Sequence, residues 1–317
     1  MNETRPDLAW LFPGQGSQAV GMGKALAEWS KRARAVYQAA DDALGFALSA
    51  LCFEGPEDRL TQTENAQPAI VATSIALLEA LREVTPELPL PAYAAGHSLG
   101  EYSALVAAGA LDLADAVRIV RDRGRAMQVA VPAGEGGMAA VMGASDEQIV
   151  RLCLEASAGE VLAPANFNAP GQVVIAGAQS AVLRAVELAK SLKLKAIPLK
   201  VSAPFHCSLM APAATSVAKS LAGVALADPA FPIVANVDAQ PNRSKDRIAD
   251  LLMRQVDSPV LWQASIQTIA DGGVTRALEL GPGKVLAGLV KRIDKRVSVL
   301  SVNDQESVEK TAQFLVS

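Results

Sequence analysis

The chain has 317 residues, half of them apolar, which suffices for one large domain or two modest ones with a sizeable core. Lys and Arg number 29 against 33 Asp and Glu, and a net charge of −4 with no polybasic stretch argues against a nucleic-acid partner. No uninterrupted apolar run approaches a membrane span and Met1-Asn2-Glu3-Thr4-Arg5-Pro6-Asp7 holds no signal-peptide core, so a cytoplasmic protein with no membrane partner is expected.

Leu8-Ala9-Trp10-Leu11-Phe12 reads as a short strand closed by Pro13-Gly14, and a glycine-rich loop over 13–23 leads into a predicted long helix over 24–48. Gly14-Gln15-Gly16-Ser17-Gln18-Ala19 matches the dinucleotide fingerprint G-x-G-x-x-G/A. That match fails on context, because no second parallel strand ending near an acid follows the helix. Two uses stay open: a plain turn, or a loop that offers a backbone N–H near Gln15 to an oxyanion. Residues 59–83 read as a helix with Pro68 early in it, and Gln67 either reaches a site or is a polar residue at the surface.

An apolar segment over 93–95 then meets Gly96-His97-Ser98-Leu99-Gly100, followed by a helix-forming run over 101–111. G-x-S-x-G between strand and helix is the pattern of a nucleophile elbow. Its glycines permit a strained turn that holds the serine hydroxyl out at the sheet's carboxyl edge. The first N–H groups of the helix, that of Leu99 among them, are unpaired and aimed at the same spot.

Asp112 is a fitting N-cap for a helix over 113–129. At about 100° per residue, Leu113, Ala116, Val117, Val120, Gly124 and Met127 share one face. Arg118, Arg121 and Arg125 cluster opposite, as on a solvated face, whereas Arg123 falls at the edge of the apolar stripe. An inward guanidinium needs a carboxylate, either the protein's own or a ligand's.

From residue 136 the pattern becomes strand 137–142, helix 146–156, strand 161–167, strand 172–176, helix 180–192 and strand 195–201. This βαββαβ order is the ferredoxin-like split unit. It predicts a small subdomain over 131–201 inserted into a large one formed by 1–130 and 202–317.

The chain has only two histidines. His97 adjoins Ser98, and neighbours across an elbow point apart, which leaves His206 as the candidate general base. No acid has the spacing of an obvious third triad member, so a carbonyl could equally orient the imidazole. Beyond it a helix over 208–223, a strand over 232–236, a helix over 248–254 leading to Gln255, a strand over 275–280, a helix over 284–293 and a strand over 297–302 complete the reading. Cys52, Cys153 and Cys207 lack metal-ligand spacing and are expected as free thiols, so no metal site is expected.

Together, residues 13–18, 96–102, 121–124, 166–177, Phe205-His206 and 279–283 resemble the malonyl-CoA:acyl-carrier-protein transacylase family over about residues 8–293. The resemblance implies an α/β fold: an α/β-hydrolase-like large subdomain with a mostly parallel central sheet, and the inserted ferredoxin-like unit. It implies Ser98 as nucleophile, His206 as base, the N–H groups of Gln15 and Leu99 as oxyanion hole, and Arg123 as holder of the malonyl carboxylate. Gln255 would orient the imidazole through a carbonyl, and Gln67, His97, Asn166 and Phe205 would line or approach the pocket. No bound cofactor is implied. Malonyl-CoA would be the donor, and an acidic acyl carrier protein bearing phosphopantetheine the transient partner of a monomer. Its dock would include Lys190, Lys193, Lys195 and Lys200, or Arg292 and Lys295. The alternatives are an acyltransferase loading a polyketide synthase carrier protein, a serine thioesterase or esterase, and a silent carrier-binding module.

Overall fold

The computed structural model describes residues 3–316, which leaves Met1 and Asn2 of the polar N-terminal stretch outside the described residues. Among those residues ten strands form two sheets. The larger contains β1 (Thr4–Phe12), β2 (Leu90–Gly96), β7 (Ile233–Val234), β8 (Pro241–Asn242), β9 (Arg276–Leu280) and β10 (Ser298–Val302). Its order is β10-β9-β1-β2-β7-β8, and every pairing is parallel except β7 with β8.

The central strand β1 shows why this sheet lies inside. Residues 8–12 are all buried, and alternate side chains serve opposite faces. Leu8, Trp10 and Phe12 join the core with Leu77 and Tyr102, while Ala9 and Leu11 join Trp262, Ile266 and Leu286. At the end of β9, buried Glu279 accepts hydrogen bonds from the N–H groups of Leu286 (2.8 Å) and Ala287 (3.0 Å) and from Ser301 Oγ (2.8 Å). A carboxylate thus stabilises the positive start of the helix Val285–Ile293.

The second sheet holds β3 (Gly136–Met142), β4 (Leu162–Ala169), β5 (Gln172–Ala178) and β6 (Lys195–Pro198) in the antiparallel order β4-β5-β3-β6. Helices Asp146–Ser157 and Gln179–Ser191 cover it, with Ile149, Leu152, Val182 and Ala185 in a core of their own. β4 is tied to the segment that follows the helix Lys245–Asp257, where Phe167 N–H donates to Val260 O and Val260 N–H to Ala165 O, both at 2.9 Å.

Several elements differ from the sequence reading. The long helix over 24–48 is three helices, Lys24–Trp29, Lys31–Leu44 and Leu48–Glu54. Ser30 breaks it by turning extended to cap the second helix, and Gly45 by adopting a left-handed backbone. β6 stops at Pro198, three residues short of the expected end. β7 is only two residues long, which frees Asn236 for the site. Helices Trp262–Asp271 and Gln305–Val316 went unread. Arg121 is half-buried over the Phe46 ring, 4.2 Å from its centre, so it is not part of a solvated face.

Two close approaches lock the end of β1 and its loop onto the turn after β2, and a third closes that turn on itself. A Cβ on Gly96 would lie 1.8 Å from the Gly100 carbonyl carbon, one on Gly100 2.1 Å from Phe12 O, and one on Gly14 2.4 Å from His97 O. His97 N–H donates to Phe12 O at 3.0 Å across the same contact. Backbone on both sides leaves no room for a methyl group. Gly100→Ala should therefore lower the free energy of unfolding by about 2–3 kcal/mol, measured by urea denaturation; an unchanged midpoint would contradict the packing.

Candidate active site

Ser98 stands just beyond β2 with φ of 51°, a left-handed backbone that a β-carbon disfavours. Asn236 holds it there. Ser98 N–H donates to Asn236 Oδ1 (2.6 Å), and Asn236 Nδ2 donates to Gly96 O (2.7 Å). The helix Gly100–Ala107 follows at once, so the turn ends on a helix N-terminus.

His206, also at a left-handed φ of 60°, lies with Nε2 2.7 Å from Ser98 Oγ. Its Nδ1 is 2.9 Å from the main-chain oxygen of Gln255. A carbonyl can only accept, so Nδ1 carries the proton and Nε2 is free to accept the serine hydrogen. Burial first, and then the Arg123 charge and His97, push the His206 imidazole down to about 3. The ring is therefore neutral at physiological pH. His97 turns away from Ser98, with Nε2 2.8 Å from Asn168 Oδ1 and its ring beside Trp262.

Arg123 comes to the same hydroxyl from the helix Leu113–Val129. Gly124 makes this possible, since a Cβ there would lie 2.7 Å from Thr63 O of the neighbouring helix. Arg123 is 2% exposed. Its Nη1 donates to Gln67 Oε1 (2.8 Å), and Nη2 donates to Ser98 Oγ (3.0 Å) and Gln255 Oε1 (3.0 Å). Among the described residues no carboxylate lies in hydrogen-bond contact with it, and Nε has no partner. A buried cation whose hydrogen bonds all go to neutral oxygens is poised for an anion from outside.

Those groups face a cavity of about 510 Å³ lined by Gln15, Ser98, Arg123, Asn166, Phe205 and His206, with His97 and Lys200 at its walls. The backbone N–H groups of Gln15 and Leu99 make no hydrogen bond among the described residues. The Gln15 side chain is engaged elsewhere, with Nε2 3.2 Å from Thr63 Oγ1. Gln67 does not line the cavity. It is fully buried behind Arg123, where its amide oxygen accepts a hydrogen bond from the guanidinium.

Two functional side chains escaped the sequence reading. Buried Glu101 accepts from Gln255 Nε2 (2.8 Å) and from the Asn236 N–H (3.0 Å), and Asn236 braces the turn. An acid in the first turn of a helix ordinarily reads as an exposed partner of the helix dipole, which hid Glu101. A strand expected through residue 236 hid Asn236.

Chemically, the arrangement offers a hydroxyl that donates to a neutral imidazole, free N–H groups for an oxyanion, and a fixed cation beside the nucleophile. It suits acyl transfer from a substrate that carries its own carboxylate.

A family model described as an acyl transferase domain matches residues 9–310. The malonyl CoA-acyl carrier protein transacylase of Bacillus subtilis (strain 168) is 47% identical over 312 residues, 97% of each chain. The crystal structure of an acyl carrier protein S-malonyltransferase from Vibrio cholerae superposes with a TM-score of 0.93 at 46% identity, covering 96% of this chain and 99% of the other. A malonyl-transacylase in complex with its type II polyketide synthase acyl-carrier protein gives a TM-score of 0.93 at 44% identity, over 97% and 99%.

The His206 ring should show no titration by NMR between about pH 8 and pH 5, because a lowered pKa keeps the neutral form down to far more acid conditions. A midpoint near the unperturbed value of about 6.5 would contradict this environment.

Proposed function

Because this chain belongs to the acyl transferase family of the malonyl CoA-acyl carrier protein transacylases, we propose that Ser98 carries a malonyl group from CoA to the phosphopantetheine thiol of an acyl carrier protein. The observation that carries the reading is the Arg123 guanidinium, buried without a carboxylate and 3.0 Å from the serine hydroxyl.

Ser98 Oγ attacks the thioester carbonyl while His206 Nε2 takes its proton. The developing oxyanion is stabilised by the N–H groups of Gln15 and Leu99. On collapse the C–S bond breaks and the CoA sulfur leaves with the proton from His206, giving malonyl-Ser98. Forming the ester also releases the Arg123 Nη2 hydrogen that the hydroxyl had accepted, so the guanidinium meets the malonyl carboxylate with a free donor. The carrier thiol then repeats the steps in reverse, with His206 as base again. Exchange between two thiols is nearly isoenergetic, so the site's main task is to hold the acyl-enzyme and keep water from it.

The finer assignments belong to the same proposal. The large subdomain is formed by 1–130 and 202–317 and the small one by 131–201; the separate four-stranded sheet and the core it forms with its two helices support that division, while Met138, Ala165, Val174 and Ala176 join the main core. The protein acts as a cytoplasmic monomer with no bound cofactor. Among the described residues no helix is long and apolar enough to cross a membrane. For the acidic carrier, Lys200 at the cavity is the best-placed of the expected basic groups. Lys190 is drawn to Glu187 and Arg292 to Gln172, whereas Lys295 shares a groove with Lys284 and Lys291. A carrier protein of polyketide synthesis fits the same chemistry, as in the relative solved in complex with one.

Arg123→Ala should lower malonyl transfer about 1,000-fold while acetyl transfer falls less than about tenfold, because only malonyl loses a charged partner. Equal losses, read as kcat/KM for the two donors, would refute the role of Arg123. Raising ionic strength from about 0.05 to about 0.5 M should raise the apparent KM for carrier protein several-fold and leave that for malonyl-CoA nearly unchanged.

A further inference from the structure

One carboxylate oxygen lies beneath the whole site. Glu101 Oε2 accepts from the Asn236 N–H at 3.0 Å and from Gln255 Nε2 at 2.8 Å. Each recipient extends to the reacting groups. Asn236 holds the Ser98 N–H and the Gly96 carbonyl. The Gln255 side chain donates to Ser98 O at 2.9 Å and accepts from Arg123 at 3.0 Å, while its main-chain oxygen accepts the hydrogen bond from His206 Nδ1. Glu101 is 3% exposed, and Gln255 and Asn236 are fully buried.

The Gln255 carboxamide is thereby fixed end for end. Its two N–H bonds go to Ser98 O and Glu101 Oε2, which leaves Oε1 as the only group that can face the guanidinium. Without an acceptor at residue 101, one buried N–H would be orphaned. The amide would then rotate in search of a partner and release Arg123 Nη2.

We propose that Glu101 is a positioning residue for the acyl transfer, acting along two separable arms: through Asn236 on the nucleophile turn, and through Gln255 on Arg123 and so on the preference for a carboxylated acyl group. The second arm rests on the malonyl reading given above.

The anchoring needs an acceptor oxygen rather than a charge. Burial pushes the Glu101 carboxyl up to about 7, against the lowering effect of the hydrogen bonds from Gln255 and Asn236. The charged groups around it are Asp238, which raises this value, and Arg123, which lowers it. A protonated carboxyl still presents one bare oxygen, so both arms survive titration through neutrality.

The test compares rates of Ser98 acylation by malonyl-CoA and by acetyl-CoA, read by rapid quench and intact mass. Glu101→Met keeps the volume and removes the acceptor. It should slow malonylation about 100-fold and acetylation about tenfold, narrowing the preference about tenfold. Glu101→Gln, which keeps an acceptor, should remain within about threefold of wild type for both donors. Asn236→Ala cuts only the first arm, so it should slow both donors alike and leave the preference within about twofold. A folded Glu101→Met with unchanged preference, a Glu101→Gln as impaired as Glu101→Met, or an Asn236→Ala that narrows the preference would each overturn the inference. Should Glu101→Met fail to fold, Glu101→Asp, with its carboxylate withdrawn by one methylene, should narrow the preference at least about threefold, and no narrowing would overturn the proposal. A wild type that forms no malonyl adduct would instead overturn the malonyl reading, and the second arm with it.

Discussion

A guanidinium on a residue that is 2% exposed, with hydrogen bonds only to neutral oxygens among the described residues, carries a desolvation cost of several kcal/mol, which an ordinary core avoids by pairing the charge or omitting it. Much of the local architecture follows from keeping Arg123 in that state. Gly124 allows its helix to approach Thr63 O closely enough for Gln67 to accept from Nη1. Gln255 accepts from Nη2 and is itself oriented by Glu101 and Ser98 O. The charge also acts on the imidazole, adding to burial in holding His206 neutral. One cation therefore helps set the protonation state of the base and, in the proposed cycle, the choice of acyl group.

The second constraint is conformational. Ser98 and His206, the two groups that exchange a proton, both sit at left-handed φ values that side chains other than glycine seldom adopt. Such strain persists only where the surroundings over-determine it. At Ser98 they do so through Asn236 and through three glycines whose missing side chains let Phe12, His97 and Gly100 backbones touch. At His206 the Gln255 carbonyl and the serine hydroxyl hold the two ring nitrogens. The absence of a triad acid then has a physical reason: a ring that stays neutral and needs only its tautomer fixed is served by a carbonyl.

How much of this could be read from the chain depends on which signals are local. The elbow announces itself because glycine spacing, strand and helix fall within a dozen residues, and inward Arg123 is visible because 3.6-residue periodicity is. The choice of His206 followed from a chain with only two histidines. What escaped depends on distant partners. Glu101 looks like an exposed first-turn acid until Gln255, far along the chain, is folded over it. Asn236 looked like the end of a strand that pairs over only two residues. Ser30 broke the expected helix over 24–48 because a side chain that caps the next turn outweighs propensity. Gln67 reads either as a pocket residue or as an exposed amide, because burial behind Arg123 is a tertiary fact with no local signal.

The most direct measurement is intact mass after brief mixing with malonyl-CoA, then after addition of holo acyl carrier protein, with Ser98→Ala as control. A malonyl adduct on the wild type alone, discharged onto the carrier's pantetheine and stable in buffer without it, is the result the account predicts. An adduct lost equally fast in buffer would mean a hydrolase, and no adduct at all would mean a site that binds without reacting; either would contradict the account.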